Sequence, residues 1–182
     1  MLVIVDAGHG GKDPGAVGKQ SKEKDITLAI SLLLREELRR RNVSVYLTRD
    51  KDIFLSLEDR CRIANNLSAS YFISVHINSA VNLQAKGYEV YCYRIKNNNT
   101  ITKAGILAQS ILDTFRKNLV GFVNRGVKEA NFYVLKYTKM PAVLVECGFI
   151  SNLEEEKRLM KNETQLLIAQ SIAEGLIKAS KV

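Results

Sequence analysis

Apolar positions along the chain come in short unbroken runs, separated by stretches in which they recur every three or four residues. Leu2-Val3-Ile4-Val5 is the first run, and the glycine-rich stretch 7–18 stops it, which predicts a buried strand followed by a long loop. Ile26, Ile30, Leu33, Leu34 and Leu38 then recur at helical spacing, while Arg35, Glu36, Arg39 and Arg40 fill the other face. Val43, Val45 and Leu47 alternate as in a strand. Ser56 precedes a helix-like segment through Leu67, with Asp59 in its first turn, where its charge suits the positive end of the helix dipole. Residues 71–75 read as a second buried strand, 87–93 as another, and 100–117 as a helix with Ala104, Leu107, Ile111 and Phe115 on its apolar face. Residues 132–135 and 142–145 are further strand predictions. Asn152 with Glu155, and Asn162 with Gln165, have capping-box spacing and open two closing helices. The last helix carries the stripe Leu166, Ala169, Ile172, Ala173, Leu176 and Ile177.

Strands alternating with helices, in apolar runs long enough to be covered on both faces, predict an α/β fold with a mostly parallel sheet between helical layers. No repeat, low-complexity stretch or Pro/Ser linker divides the chain, and Asn97, Asn98 and Asn99 read as a loop rather than a boundary. Residues 1–182 are therefore expected to form one domain, with no separate binding module, and to act as a monomer.

Composition narrows the partners. Lys and Arg number 27 against 19 Asp and Glu, a net charge of +8 with a pI near 9.4, which favours an anionic partner or serves solubility alone. The cations are scattered, as at Arg35, Arg39, Arg40 and Arg41, without the basic and aromatic stripe of a nucleic-acid binder, so no nucleic acid is expected. Cys61, Cys92 and Cys147 are odd in number and unpaired in spacing, which argues against a disulfide framework. No apolar run is long enough for a membrane span, and the opening residues lack the pattern of an export signal.

The chemistry gathers where strands end, since loops at the carboxyl edge of an open α/β sheet converge over one crevice. His9 follows the first strand, His76 follows strand 71–75, and Glu146 follows strand 142–145. The two histidines are the only ones present. Either alone reads most simply as a hydrogen-bonded structural residue, but a pair with a nearby carboxylate makes a ligand set for zinc with a position left for water. Glu23, opening the first helix, is the first choice for that carboxylate, with Asp6, Asp13 and Asp25 as competitors. Asp6 could instead orient His9, and Asp25 could serve the helix dipole. Glu146 is costly to bury unpaired; it suits a proton acceptor beside activated water, or an ion pair with Arg125 or a lysine. The glycines at 8, 10, 11, 15 and 18 lack the ending of a phosphate-binding loop, and strand alternation turns Cys147 away from Glu146 into the core, against a cysteine nucleophile.

At these residues the sequence resembles the amidase type 3 family of zinc-dependent N-acetylmuramoyl-L-alanine amidases, found in bacterial autolysins, spore-associated enzymes and phage endolysins. The likeness spans nearly the whole chain. It is carried by residues 3–11 with His9, by Glu23-Lys24-Asp25, by Ser74-Val75-His76-Ile77-Asn78 and by Val145-Glu146-Cys147-Gly148-Phe149-Ile150-Ser151-Asn152. It implies a mixed sheet of about six strands, one zinc ion on His9, Glu23 and His76, and Glu146 as the catalytic carboxylate. It also implies cleavage of peptidoglycan between the lactyl group of N-acetylmuramic acid and L-alanine, with Asn78 and Arg125 as substrate contacts. The place of action would then be the bacterial cell wall, reached by lysis or as part of a longer exported precursor, with a wall-targeting partner or an outside binding module. The short link from Tyr93 to the Thr100 helix, where division-associated members carry a covering insertion, implies an open site. Two other readings fit the same residues: a zinc peptidase cutting within the stem peptide, and a non-catalytic peptidoglycan-binding protein.

Overall fold

The computed structural model describes residues 1–98 and 100–182. In chain order the elements are β1 (Leu2–Ala7), α1 (Glu23–Arg39), β2 (Ser44–Leu47), α2 (Leu57–Asn66), β3 (Tyr71–Asn78), β4 (Tyr88–Cys92), β5 (Lys96–Asn97), β6 (Thr100–Ile101), α3 (Lys103–Asn118), β7 (Asn124–Glu129), α4 (Tyr133–Tyr137), β8 (Ala142–Phe149), α5 (Leu153–Leu159) and α6 (Asn162–Ala179). Six strands form one sheet in the order β2-β1-β3-β8-β4-β7, parallel throughout except where β4 meets β8. The expected α/β architecture with a mixed, mostly parallel sheet is the observed one.

The alternation of side chains along the strands splits the core in two. Val3, Val5, Ile73, Val75, Val143 and Val145 face α1, α3 and α6, whose stripes of Ile30, Leu34, Ile111, Phe115, Ile172 and Leu176 are buried against them. Ile4, Phe72, Ala142 and Leu144 face the other way, under α2 and α4. That second layer is small, and its two short helices cover only part of the sheet face.

Several elements differ from expectation. Residues 132–135, read as a strand, open α4: Phe132 stands at its N-cap, and Val134 and Leu135 within it seal the smaller core. β7 was not anticipated: Asn-Arg-Gly-Val-Lys-Glu offers one apolar residue, because it is the sheet's edge strand. The helix expected from residue 100 begins at Lys103, capped by Thr102 Oγ1, and Thr100–Ile101 pairs with Lys96–Asn97 in a small hairpin. Asn98, in the left-handed region with φ 46°, lies between them; Asn99 lies outside the described residues. Ser56 and Asn152 cap as expected, but Glu155 turns away to accept from Phe149 N and Gly87 N, and α6 is capped at Lys161 rather than Asn162.

Candidate metal centre

The site occupies the sheet face that α2 and α4 leave open. Beyond the apolar residues of the smaller core, the next positions of the same parity are Asp6 on β1, Ser74, His76 and Asn78 on β3, and Glu146 on β8. His76 and Glu146 lie within their strands rather than past the ends, since β3 and β8 run on beyond their apolar runs. The two are register partners, so neighbouring strands present an imidazole and a carboxylate side by side. His9 comes from the loop after β1, and Glu23 from the first turn of α1.

Three donors converge. One ligand atom from each of His9, Glu23 and His76 lies within 4.8 Å of the others. His9 Nε2 is 3.1 Å from Glu23 Oε2, and His76 Nδ1 is 2.9 Å from Glu23 Oε1. Backbone N–H groups of Ala16 and Ile77 donate to the same two oxygens at 2.9 and 3.0 Å, so the Glu23 carboxylate is fixed from both sides. Burial opposes its ionisation, but the two histidines outweigh that and hold it far below the ordinary carboxylate range. His9 is treated in the opposite sense: burial disfavours its charge, yet Glu23 and Asp13 raise its pKa above the ordinary value. Among Asp6, Asp13 and Asp25, the competitors for the third position, none joins the cluster.

The loop bearing His9 is held by groups far away in sequence. His9 has a φ of 60°, unusual for a residue with a side chain. Arg60 donates to the carbonyls of Ala7 and His9 and to Asp6 Oδ1, all at 2.7–2.8 Å. Arg49 donates to the carbonyls of Ala7, Gly8 and Lys24. These buried arginines clamp the loop from below, and nothing local in the sequence marks them for it. Asp6 does not orient His9 as anticipated; it accepts from Arg60, Thr48 and Ser74, while Asp13 Oδ2 takes His9 Nδ1 at 2.8 Å. Gly15 matters for space: a Cβ there would lie 2.6 Å from both Glu23 Oε2 and the His9 ring, and its φ is +65°.

The cluster opens into a cavity of about 440 Å³, whose wall includes Phe54, Leu57, Phe132, Asn78 and Glu146. Glu146 makes no ion pair with Arg125, which binds Glu89 instead. Its Oε2 is buried without a hydrogen-bond partner, one of two such side-chain atoms among the described residues. Burial, then the charges of Glu23 and Glu89, push its carboxyl well above the ordinary range. Cys147 points to the opposite face and is buried in the larger core, as alternation required. Arg125 does not line the cavity, whereas Asn78 does, with its Nδ2 donating to Glu89.

Donor chemistry supports a metal. Two imidazole nitrogens and a carboxylate oxygen suit zinc, whose tetrahedral bonds of ~2.0–2.1 Å separate neighbouring ligand atoms by roughly 3.3 Å. His9 Nε2 and His76 Nδ1 each approach one oxygen of Glu23, at 3.1 and 2.9 Å, and the three donors lie within 4.8 Å of one another, which lets them gather on one ion.

A family profile described as N-acetylmuramoyl-L-alanine amidase matches residues 3–178. The chain belongs to this amidase family. The sporulation-specific N-acetylmuramoyl-L-alanine amidase of Bacillus subtilis is 37% identical over 98% of this chain and 68% of its own length. The endolysin of Bacillus phage SPP1 is 42% identical over 96% of this chain, which spans 64% of that protein. The amidase AmiC2 of Nostoc punctiforme superposes with a TM-score of 0.93 at 38% identity, covering 100% of this chain and 98% of that one. Among the described residues, no helix of this amidase is long and apolar enough to cross a membrane.

Proposed function

We propose that this amidase hydrolyses peptidoglycan at the amide joining the lactyl group of N-acetylmuramic acid to L-alanine, using one zinc ion held by His9, Glu23 and His76. The observation that carries the reading is a two-histidine, one-glutamate cluster within 4.8 Å, with a buried, unpartnered Glu146 oxygen on the strand beside His76. When bound, zinc supplies Lewis acidity, making water a stronger nucleophile and the lactyl carbonyl a stronger electrophile.

The protein's own residues do the rest. Glu146 Oε2 accepts the proton of the attacking water and hands it to the departing alanine nitrogen as the carbon–nitrogen bond breaks. Asp13 fixes the His9 ring through Nδ1, leaving Nε2 for the ligand position. Asn78 contacts substrate inside the cavity on the Glu146 side, Arg125 contacts it beyond the cavity wall, and the apolar wall of Phe54, Leu57 and Phe132 limits water around the reacting bond. The chain acts at the bacterial cell wall as a monomeric catalytic domain, and its positive charge draws it to an anionic polymer.

Glu146→Gln tests the central role. It should keep one zinc per chain while release of peptides with free L-alanine amino termini falls by about 10²–10⁴-fold. Near-normal release by that variant would contradict it.

A further inference from the structure

A row of polar side chains continues across the sheet past Glu146 to Arg125, through Glu89 and beside Lys128, two residues to which the reaction gives no task. His76 on β3 faces Glu146 on β8, and Glu146 faces Glu89 on β4. On the other side of β4 the register shifts between Tyr88, opposite Asn124, and Val90, opposite Val127, so Glu89 stands against the stretch holding Arg125. Glu89 is 2% exposed and accepts four hydrogen bonds. Asn78 Nδ2 at 2.7 Å and the Tyr91 hydroxyl at 2.8 Å share one oxygen; Arg125 Nε at 2.9 Å and Lys128 Nζ share the other.

The two cations are held on a second side as well. The Arg125 guanidinium lies 4.9 Å from the Phe149 ring centre, and Lys128 Nζ 5.8 Å from that of Tyr91. Burial opposes the charge on Glu89, but Lys128, Tyr91 and Arg125 outweigh it and keep the carboxyl below its ordinary range. One carboxylate between two cations leaves one positive charge uncompensated. Arg125 and Lys128 keep 35% and 37% of their side-chain surface open, so that charge faces solvent. The neighbouring acid Glu129 is turned away, accepting from Ile95 N.

Position says what the charge is for. Adjacent strands lie about 4.8 Å apart, so β7 stands about 10 Å from β8 and Glu146. An extended peptide covers ~3.3–3.6 Å per residue, which brings the second or third residue beyond a cleaved amide to that distance. We propose that Glu89 is a positioning residue that holds Arg125 and Lys128 as a shelf for a carboxylate in the peptide half of the substrate, two or three residues past the cleaved bond. The proposal rests on the amidase reading and adds the direction in which substrate lies: the peptide runs from Glu146 toward β7, and the glycan lies on the Phe54 side.

Two soluble N-acetylmuramoyl peptides test this, identical except that the carboxylates of the second and third residues are free in one and amidated in the other. Cleavage by the zinc-supplemented chain is measured, and binding of the corresponding free peptides is measured separately by calorimetry. The free-acid form should be preferred by about tenfold or more, through KM rather than kcat, with tighter binding of the free-acid peptide. Arg125→Ala and Lys128→Ala should bring the ratio toward one. Glu89→Gln adds positive charge yet should also lower the ratio, and Glu89→Asp should restore part of it. A wild-type ratio near one in cleavage and binding, an unchanged ratio in the two cation variants, or a raised ratio in Glu89→Gln overturns the shelf. Preferential binding without any cleavage supports the shelf and overturns the amidase reading instead.

Discussion

At Asp6 a carboxylate is enclosed beside Arg60, 2.7 Å away, and removing its charge leaves a buried guanidinium without a counter-charge. Asp6→Asn should therefore cost about 3–5 kcal/mol, measured by urea unfolding. Burial disfavours the Asp6 charge, but Arg60, Ser74 and Thr48 prevail and hold its pKa below the ordinary 3.8. Its contribution is thus complete above that value and is lost as pH falls through the depressed folded-state value. The difference between wild type and variant should be widest above pH 4 and shrink on further acidification; a gap constant across that range would count against the assignment. Residue identity at the site was readable where chemistry is rare: two histidines in the chain could hardly be overlooked. The partition among aspartates was not readable, because Asp6 is chosen by a partner distant in sequence, Arg60, and Asp13 by the left-handed backbone at His9, which no pattern of residue types announces.

At the scale of elements, α3 and α6 pack so closely that Gly175 sets their separation. A Cβ at that position would lie 2.6 Å from Ile111 Cα and 2.8 Å from its N, backbone atoms that cannot swing aside. Gly175→Ala gains up to about 1 kcal/mol of helix propensity but incurs overpacking of about 1–3 kcal/mol. The net effect should be destabilising by up to ~2 kcal/mol, read as a lower denaturation midpoint; an unchanged or raised midpoint would show that the helices yield. The periodic helices α1, α3 and α6 and the apolar cores of β1, β3 and β8 were legible because one burial pattern governs each. The failures share a cause too. Phe132-Tyr133-Val134-Leu135 has strand-like residues but is wound into α4 by the need to cap Ala142 and Leu144. β7 is an edge strand with little to bury, so its sequence carries almost no period. Glu89 could have been found, since it is the charged member of the face opposite Tyr88, Val90 and Cys92, all of which lie in the larger core.

The molecule as a whole turns a line of sequence into a line across a sheet. His76, Glu146, Glu89 and Arg125 come from four strands spread over 70 positions of chain, and only strand order and register put them in one row. Four motifs in order made the family legible, whereas the direction of substrate along the row needed the topology. The larger core backs the sheet from behind, and the smaller one stops short of the carboxyl ends, leaving the triad both supported and open. The measurement that tests this account most directly is mass spectrometry of purified peptidoglycan digested by the protein after chelation, with and without zinc restored. With zinc, the account predicts intact glycan strands and whole stem peptides with free L-alanine amino termini, and with metal removed, only background release. Truncated stem peptides, or equal release by the metal-stripped protein, would contradict it.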